Sequence, residues 1–289
     1  ILARHGKISE AVTHYLAALR VDPDYVEAHI SLGVSFHAQG RFNEALDHYS
    51  EALRLNPGYA ETHYDAAITL FALGRVDEAI DHYSEALRIR PDYAEAHNNL
   101  GNALIAQGKL KEAISHYSEA LRIRPDYADT YDNLKKALAA REKIDTAIEN
   151  VQEALKTDPE DPALHFELGT LYQSLGEFDK TVDQYRKTLS LQPTHTQALN
   201  NLAAVYITKN EYETALVLLK EAIAFRPDSP GAYYNIACIC ARQNKIRESI
   251  AWLNKAIERG FKNWDLIKTD KDLEKIRASS YYEEIIKGR

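Results

Sequence analysis

The residues with the most chemistry to offer are the histidines, 11 in a chain of 289 residues. Eight of them fall in two repeating columns, His29, His63, His97 and His165 in one and His14, His48, His82 and His116 in the other. Imidazoles in register suggest a zinc site or a proton-linked device. Equivalent residues of stacked helices, however, stand roughly 8 to 10 Å apart, whereas zinc holds its ligand atoms about 2 Å from a common centre. Packing is therefore the reading for each column, with no metal and no cofactor expected. Two alternatives stay open: a close pair across the columns, and a modest loosening when imidazoles charge near about pH 6. Cys238 and Cys240 lie two apart on one predicted helix, a poor geometry for a bridge, and neither belongs to a spaced ligand set. No glycine-rich phosphate loop, metalloprotease helix motif or nucleophile paired with a base at a recognisable spacing is present, so no enzyme activity is expected. The acidic column Glu27, Glu61, Glu95 and Asp129 reads as capping and dipole stabilisation of helix starts, with an acidic rail for a basic ligand as the alternative.

What must position these side chains is a repeat. Prolines stand at 23, 57, 91, 125, 159, 193 and 227, an interval of 34 residues that takes in seven of the nine prolines. An unbroken period of that length means one supersecondary module stacked on copies of itself. The repeats run 26–59, 60–93, 94–127, 128–161, 162–195, 196–229 and 230–263, preceded by a partial one over 1–25. In each, a large apolar residue at position 7 (Leu32, Leu100, Leu168) and another at position 11 (Phe36, Leu104, Tyr172) flank a small residue at position 8 (Gly33, Ala67, Gly101, Gly169) on one helical face. Alanine at position 20 (Ala45, Ala79, Ala113), tyrosine at 24 (Tyr49, Tyr83, Tyr117, Tyr185) and alanine at 27 (Ala52, Ala86, Ala120) mark a second, closely packed helix.

The punctuation fits helix, turn, helix, stop. Gly6, Gly40, Gly74, Gly108 and Gly176, then Asn210 and Asn244, occupy position 15, where a helix ending in a left-handed residue favours glycine and then asparagine. In Pro91-Asp92-Tyr93-Ala94-Glu95 the proline stops one helix, Asp92 is expected to cap the next, and Glu95 to close a capping box. Small residues at 8, 20 and 27, aromatics at 24, a proline at 32 and the 34-residue period resemble the tetratricopeptide repeat family over residues 1 to 263. The resemblance implies an all-α fold, a right-handed superhelical solenoid of antiparallel helix pairs whose first helices line a concave groove for peptides or partner proteins. Residues 264–289 read as short amphipathic helices, similar to the C-terminal caps of bacterial members.

Charge and composition narrow the partners. A formal charge of −8 argues against a nucleic-acid footprint. No apolar run approaches the 18 or so residues of a membrane span, so direct membrane insertion is not expected and a cytoplasmic setting is favoured. Ile1 falls at position 10 of a repeat, so the first helix reads as truncated in a segment excised from a longer protein. The segment 9–20 is then expected to expose Tyr15, Ala18 and Leu19 and to self-associate or fray. Residues 82–95 and 116–129 agree at all positions but the last, whereas repeats from 162 onward have diverged. Between them, Lys135 takes the small-residue column, Glu142 the turn glycine and Val151 the tyrosine; this repeat reads as a seam of altered curvature or a hinge, or as one where Lys135 snorkels past its neighbours.

Positions 5, 6, 9 and 12 share the remaining face of the first helix. They carry Ile30, Val34 and His37, then Tyr64, Ile68 and Phe71, with Ile105 beyond, an apolar stripe that is either an exposed anchor site or packing between successive first helices. Further along come Asn98, Asn99, Asn102, Asn133, Asn200, Asn201 and Asn235, side chains able to hold an extended backbone without reading its sequence. The asparagines of position 6 resemble the ladder in the repeats of O-linked N-acetylglucosamine transferase, with Ser31, Asp65 and Glu167 interrupting it. The carboxylate clamp of chaperone-binding relatives is not expected: Asn98 and Asn102 lack its lysine, and the next repeats offer Asn133 and Glu167 in place of its basic pair. The expectation is a non-catalytic scaffold binding an extended peptide or partner helix, the alternatives being a region cut from a glycosyltransferase-like enzyme and a self-assembly module.

Overall fold

In a computed structural model, residues 8–287 are described; residues 1–7, with the turn expected at Gly6, and residues 288 and 289 lie outside the described residues. Every regular element among them is helical. The order is α1 (Ile8–Val21), α2 (Val26–Ala38), α3 (Phe42–Leu55), α4 (Ala60–Ala72), α5 (Val76–Ile89), α6 (Ala94–Ala106), α7 (Leu110–Ile123) and α8 (Ala128–Thr157). Then come α9 (Pro162–Ser174), α10 (Phe178–Leu191), α11 (Thr196–Thr208), α12 (Tyr212–Phe225), α13 (Pro230–Arg242) and α14 (Ile246–Glu258), with α15 (Trp264–Thr269), α16 (Glu274–Arg277) and α17 (Ser280–Ile286) at the end. The chain divides within α8 into two compact units, residues 1–138 and 139–289.

Each unit is an array of helix hairpins. In the N-terminal unit α2 packs on α3, α4 on α5 and α6 on α7; in the C-terminal unit α9 packs on α10, α11 on α12 and α13 on α14. The turns are tight because position 15 is left-handed, with φ of 73° at Gly40, 75° at Gly74, 74° at Gly108 and 72° at Gly176. Asn210 and Asn244 adopt the same conformation at 61° and 60°, a region open to asparagine at modest cost. Bonds such as Arg41 N–H to the Phe36 carbonyl at 2.9 Å and Gly40 N–H to that of His37 at 2.9 Å close each first helix in a Schellman motif.

Close approach of the paired helices is set by one contact. A Cβ added to Gly33 would lie 2.4 Å from the Tyr49 ring, to Gly101 2.5 Å from that of Tyr117, and to Gly169 2.7 Å from that of Tyr185. These tyrosines are almost fully buried, and the position-20 alanines Ala45, Ala79, Ala113 and Ala215 have no exposed surface at all. The position-8 backbone thus forms the floor under a phenol ring.

The repeat at 128–161 lacks that contact and lacks the hairpin. Instead of the turn expected at Glu142, α8 runs unbroken for 30 residues. All three signals for folding back are missing together: Lys135 stands at the small position and is exposed, Glu142 replaces the left-handed glycine, and Val151 replaces the tyrosine. A helix without a stop continues, since each added residue gains a backbone bond. Its first half buries Thr130 and Ala137 in the N-terminal unit, and its second half buries Ile148 and Val151 in the C-terminal one.

Two local expectations are corrected. The N-cap of α6 is Tyr93, with no side-chain cap bond, not Asp92. Glu95 closes no box either; it pairs with Arg124 at 2.6 Å, as Glu61 does with Arg90 at 2.5 Å, because the guanidinium at position 31 folds back on the start of the same repeat. Among the helices of the described hairpins, the side chains that do cap are Asp161, bonded to Ala163 N–H at 2.7 Å, and His195, bonded to Ala198 N–H at 3.1 Å.

Helices α15 to α17 cover α13 and α14 by burying Ile267, Leu273, Ile276 and Tyr282 against Tyr234, Ala237 and Leu253. A polar lock joins them: Tyr234 Oη donates to Asp270 Oδ2 at 2.6 Å, and Arg242 Nε to Asp272 Oδ1 at 2.7 Å. Cys238 Sγ lies 3.8 Å from Asp270 Oδ2, and burial pushes its thiol pKa well up, so it stays protonated and donates. This is the one group of three or more metal-type ligand atoms within 4.8 Å of each other among the described residues. Tyr234, Cys238 and Arg242 already engage its carboxylates.

Replacing Ala79 or Ala113 with leucine should overpack the hairpins and lower stability by about 1 to 3 kcal/mol in chemical denaturation; a negligible change at both would mean these helices do not meet there. Backbone amides over 139–146, in the middle of α8, should be protected from hydrogen exchange as helical amides are, and rapid exchange there would contradict the unbroken helix. The combined changes Lys135→Gly, Glu142→Gly and Val151→Tyr should create rapidly exchanging amides at a turn near residue 142.

Candidate functional site

The face formed by the first helices carries most of the unspent polar chemistry in the N-terminal unit. Phenol rings buried inside the hairpins deliver their hydroxyls to it. Tyr117 Oη donates to Asn102 Oδ1 at 2.8 Å, and burial pushes its pKa up to about 12, so it remains a neutral donor. From there a network of amides runs back across the repeats. Asn98 Oδ1 accepts from Thr130 Oγ1 at 3.0 Å and from Asn133 Nδ2 at 3.1 Å, while Asn133 Nδ2 also reaches Asn102 Oδ1 at 3.2 Å. Asn98 Nδ2 donates to Asn99 Oδ1 at 3.1 Å, and Asn99 Nδ2 to Tyr64 Oη at 3.0 Å.

The asparagines are therefore largely bonded to one another. Asn98 is buried, whereas Asn99, Asn102 and Asn133 are half-buried. Among the described residues, Asn102 Nδ2 and Asn133 Oδ1 have no partner, which leaves one donor and one acceptor beside each other on this face.

The apolar stripe is mixed. Val34 is 43% exposed, Phe71 37% and Ile105 41%, while Ile30, Tyr64 and Ile68 are half-buried between neighbouring helices. Tyr64 packs on Tyr93 with ring centroids 4.7 Å apart. His37 is spent on structure: its Nδ1 pairs with Thr69 Oγ1 at 2.8 Å, and burial lowers its pKa. Thr69, Tyr117 and Thr130 are parts of the face that sequence reasoning missed. The tyrosine column reads as packing alone, and only a contact 15 or 16 residues away in sequence reveals the polar end.

In the C-terminal unit, Asn201 Nδ2 donates to Tyr185 Oη at 3.1 Å, which in turn donates to Gln173 Oε1 at 2.7 Å. Asn235 is half-buried, and the buried Asn200 Oδ1 has no hydrogen-bond partner among the described residues. The predicted asparagines therefore fall into two sets, one per unit.

The histidine columns meet each other. Nδ1 of His29 lies 3.0 Å from Nδ1 of His48, His63 the same distance from His82, and His97 2.9 Å from His116. Each first-column ring also directs Nε2 at a proline carbonyl, at 3.0 Å for His29 and Pro23, 3.3 Å for His63 and Pro57, and 3.1 Å for His97 and Pro91. A carbonyl only accepts, so Nε2 carries the proton and Nδ1 of that neutral ring is an acceptor. The second-column ring must then donate through Nδ1. Ring centroids 5.2 Å apart in all three pairs show the imidazoles meeting head to head, with room for one proton. The close pair across columns is thus a helix-to-helix hydrogen bond; no third His, Cys, Asp or Glu ligand atom joins it among the described residues. In the C-terminal unit Gln184 replaces the second histidine, its Oε1 standing 2.8 Å from His165 Nδ1. An amide can turn either end to the ring.

Models described as tetratricopeptide repeat match residues 1–60 and 64–128, 184–217, and 162–195 with 230–259; a model described as TPR repeat matches 136–176 and 205–239. No curated protein matches the chain. Solved structures similar to it include that of MamA, at 22% identity over 71% of this chain and 93% of that one with a TM-score of 0.36. Another is YrrB, titled a TPR protein with an unusual peptide-binding site, at 26% identity over 64% and 95% with a TM-score of 0.32. A tetratricopeptide repeat protein from Parabacteroides merdae matches at 16% identity over 94% of each chain with a TM-score of 0.43.

The histidine pairs generate a pH prediction. Burial lowers the pKa of His48, His63, His82 and His116, and the partner imidazole adds to the effect at His48, His82 and His116. A base whose pKa falls on folding binds fewer protons when folded, so its contribution is complete above the ordinary value of 6.5 and is lost as pH drops below it. Melting temperature should hold near about pH 7.5 and decline towards about pH 5. The triple variant His48→Gln, His82→Gln, His116→Gln should decline less, since an amide can satisfy a neutral or a charged ring. Equal slopes in the two proteins would reduce the pairs to inert packing.

Proposed function

The chain belongs to the tetratricopeptide repeat family, and from that premise we propose that it is a non-catalytic protein-interaction scaffold whose N-terminal unit holds an extended peptide along the first-helix face. The observation that carries this reading is the unspent pair of amide groups, Asn102 Nδ2 and Asn133 Oδ1, with the exposed Val34, Phe71 and Ile105 at groove positions of α2, α4 and α6. An adjacent donor and acceptor match the C=O and N–H of an extended backbone, which is hydrogen bonding without sequence readout. Exposed apolar residues beside them supply anchorage, because affinity concentrates in a few well-desolvated side chains. Tyr117 holds Asn102, and Asn98, itself held by Thr130, holds Asn133, so both amides are fixed before a ligand arrives, which lowers the ordering cost of binding. Asn201 and Asn235 are proposed as the corresponding contacts of the C-terminal unit, with affinity of their own.

Peptides selected from a random library against the whole chain test this. Phe71→Ala should weaken the selected peptides by about 30-fold or more, the equivalent of losing an aromatic anchor worth about 2 kcal/mol. Asn133→Ala should weaken them about fivefold, for one hydrogen bond of about 1 kcal/mol. Thermal melts of both variants accompany the measurement. Unchanged affinity combined with a large loss of stability in Phe71→Ala would show that the stripe is core.

A further inference from the structure

We infer that Asp65 forms a cation subsite on the first-helix face of the N-terminal unit and takes the ammonium or guanidinium group of a lysine or arginine side chain in the bound peptide; this rests on the peptide reading above. At position 6, Asn99 reaches back 35 residues to the hydroxyl of Tyr64, and Asn133 reaches back 35 residues to Asn98 Oδ1. The same step from Asp65 lands on Ile30, which has nothing to offer. Nor do the buried phenols help, since neither Tyr49 nor Tyr83 is hydrogen-bonded to the Asp65 carboxylate among the described residues.

Asp65 is half-buried, and among the described residues no donor or cation pairs with its carboxylate; only its backbone carbonyl is used, by Thr69 Oγ1 at 2.8 Å. The groups facing it are Tyr49 from α3, Glu61 and Tyr64 from α4, Tyr83 from α5 and Tyr93 ahead of α6. All are neutral except Glu61, which is like-charged and already paired with Arg90. Burial, and then Glu61, push the Asp65 pKa up to about 6. The phenols are raised in turn, Tyr93 to about 12, so they stay neutral and offer the carboxylate no counter-charge.

A half-buried carboxylate with no counter-charge suits an alkylammonium or guanidinium ion, which it can hold by charge-assisted hydrogen bonds. One helical turn earlier the chain itself makes such a pair, Glu61 holding the Arg90 guanidinium at 2.5 Å. Occupancy by a cation would also remove the cost of keeping Asp65 ionised in a half-buried place. A peptide that meets both features has an apolar residue near Phe71 and a basic residue within reach of Asp65.

The experiment is parallel peptide selection on the whole chain and on Asp65→Asn, a change that places at 65 the amide already found at 99, 133, 201 and 235. Peptides selected by the parent chain should carry a lysine or arginine at a fixed offset from their apolar anchor, and the Asp65→Asn set should keep the anchor and lose the basic residue. Affinity of a parent-selected peptide should rise about tenfold from pH 5 to 7, following ionisation of a group with a pKa of about 6, and should stay flat in Asp65→Asn. Peptides that depend on Phe71 but show no basic preference and no Asp65 effect overturn this inference and leave the groove intact. Peptides indifferent to both Phe71 and Asp65 overturn the groove reading and this inference with it.

Discussion

The contact between a small residue at position 8 and an aromatic ring at position 24 is the constraint on which the rest of the structure depends. Gly33, Gly101 and Gly169 each leave less than 3 Å for a Cβ before Tyr49, Tyr117 or Tyr185 is reached. That spacing lets the alanines at positions 20 and 27 reach the partner helix, and it lets a turn of three residues suffice. It also aims the phenol hydroxyl at the first-helix face, where it becomes the fixed end of a polar network. One packing decision thus sets both the core and the chemistry of the surface. The repeat at 128–161 is the natural counterexample, since it has lost this contact and its turn glycine together and forms a single long helix.

A second set of interactions works where the ring does not reach. The histidine pairs join each first helix to its second helix, and each is completed by the carbonyl of the proline that stops the preceding helix. Burying an imidazole costs little when both nitrogens are satisfied and much when one is not. The three pairs meet that condition only with opposite tautomers in the two columns. In the last repeat the same places are held by Tyr233 and Trp252, rings 5.8 Å apart, with Tyr233 Oη donating to the Pro227 carbonyl at 2.9 Å. The role is a bridge from the proline carbonyl into the hairpin, and imidazole is one way of filling it.

Much of the fold is legible in the sequence because each column serves one physical demand. Left-handed φ wants glycine or asparagine, and a close floor wants glycine or alanine, so the six hairpins can be counted from residue types alone. The same logic applied strictly would also have foreseen α8, since Lys135, Glu142 and Val151 remove every demand for a turn; the 34-residue period suggested a hairpin where chemistry gave no reason for one. The candidate site was less legible. Asn98 and Asn102 are of one type and four residues apart, yet one is the buried hub of a network and the other keeps a free donor. That difference depends on Thr130 and Asn133 in the following repeat, and distances across repeats are not written in any single column. Position 31 shows the same limit, since its arginines, Arg90 and Arg124, neutralise the glutamates read as caps, a pairing across a whole repeat.

These two kinds of position separate scaffold from function. Residues in the packing columns answer to the fold, so their types say little about a ligand. Off those columns, α4 and α6 differ sharply: the first presents Tyr64, Asp65, Ile68 and Phe71, and the second Asn98, Asn99, Asn102 and Ile105 at equivalent places. The amides of α6 satisfy one another and stabilise the unit. Asp65 does the reverse, because a raised carboxyl pKa means that the folded state disfavours the charged form, a cost present above about pH 6 and absent well below the ordinary value of 3.8. Asparagine at the same position in the two following repeats, Asn99 and Asn133, avoids that cost with the same shape. A group that opposes folding where a neutral isostere would serve has no account within the scaffold, and departures of that kind gather where a protein meets something else.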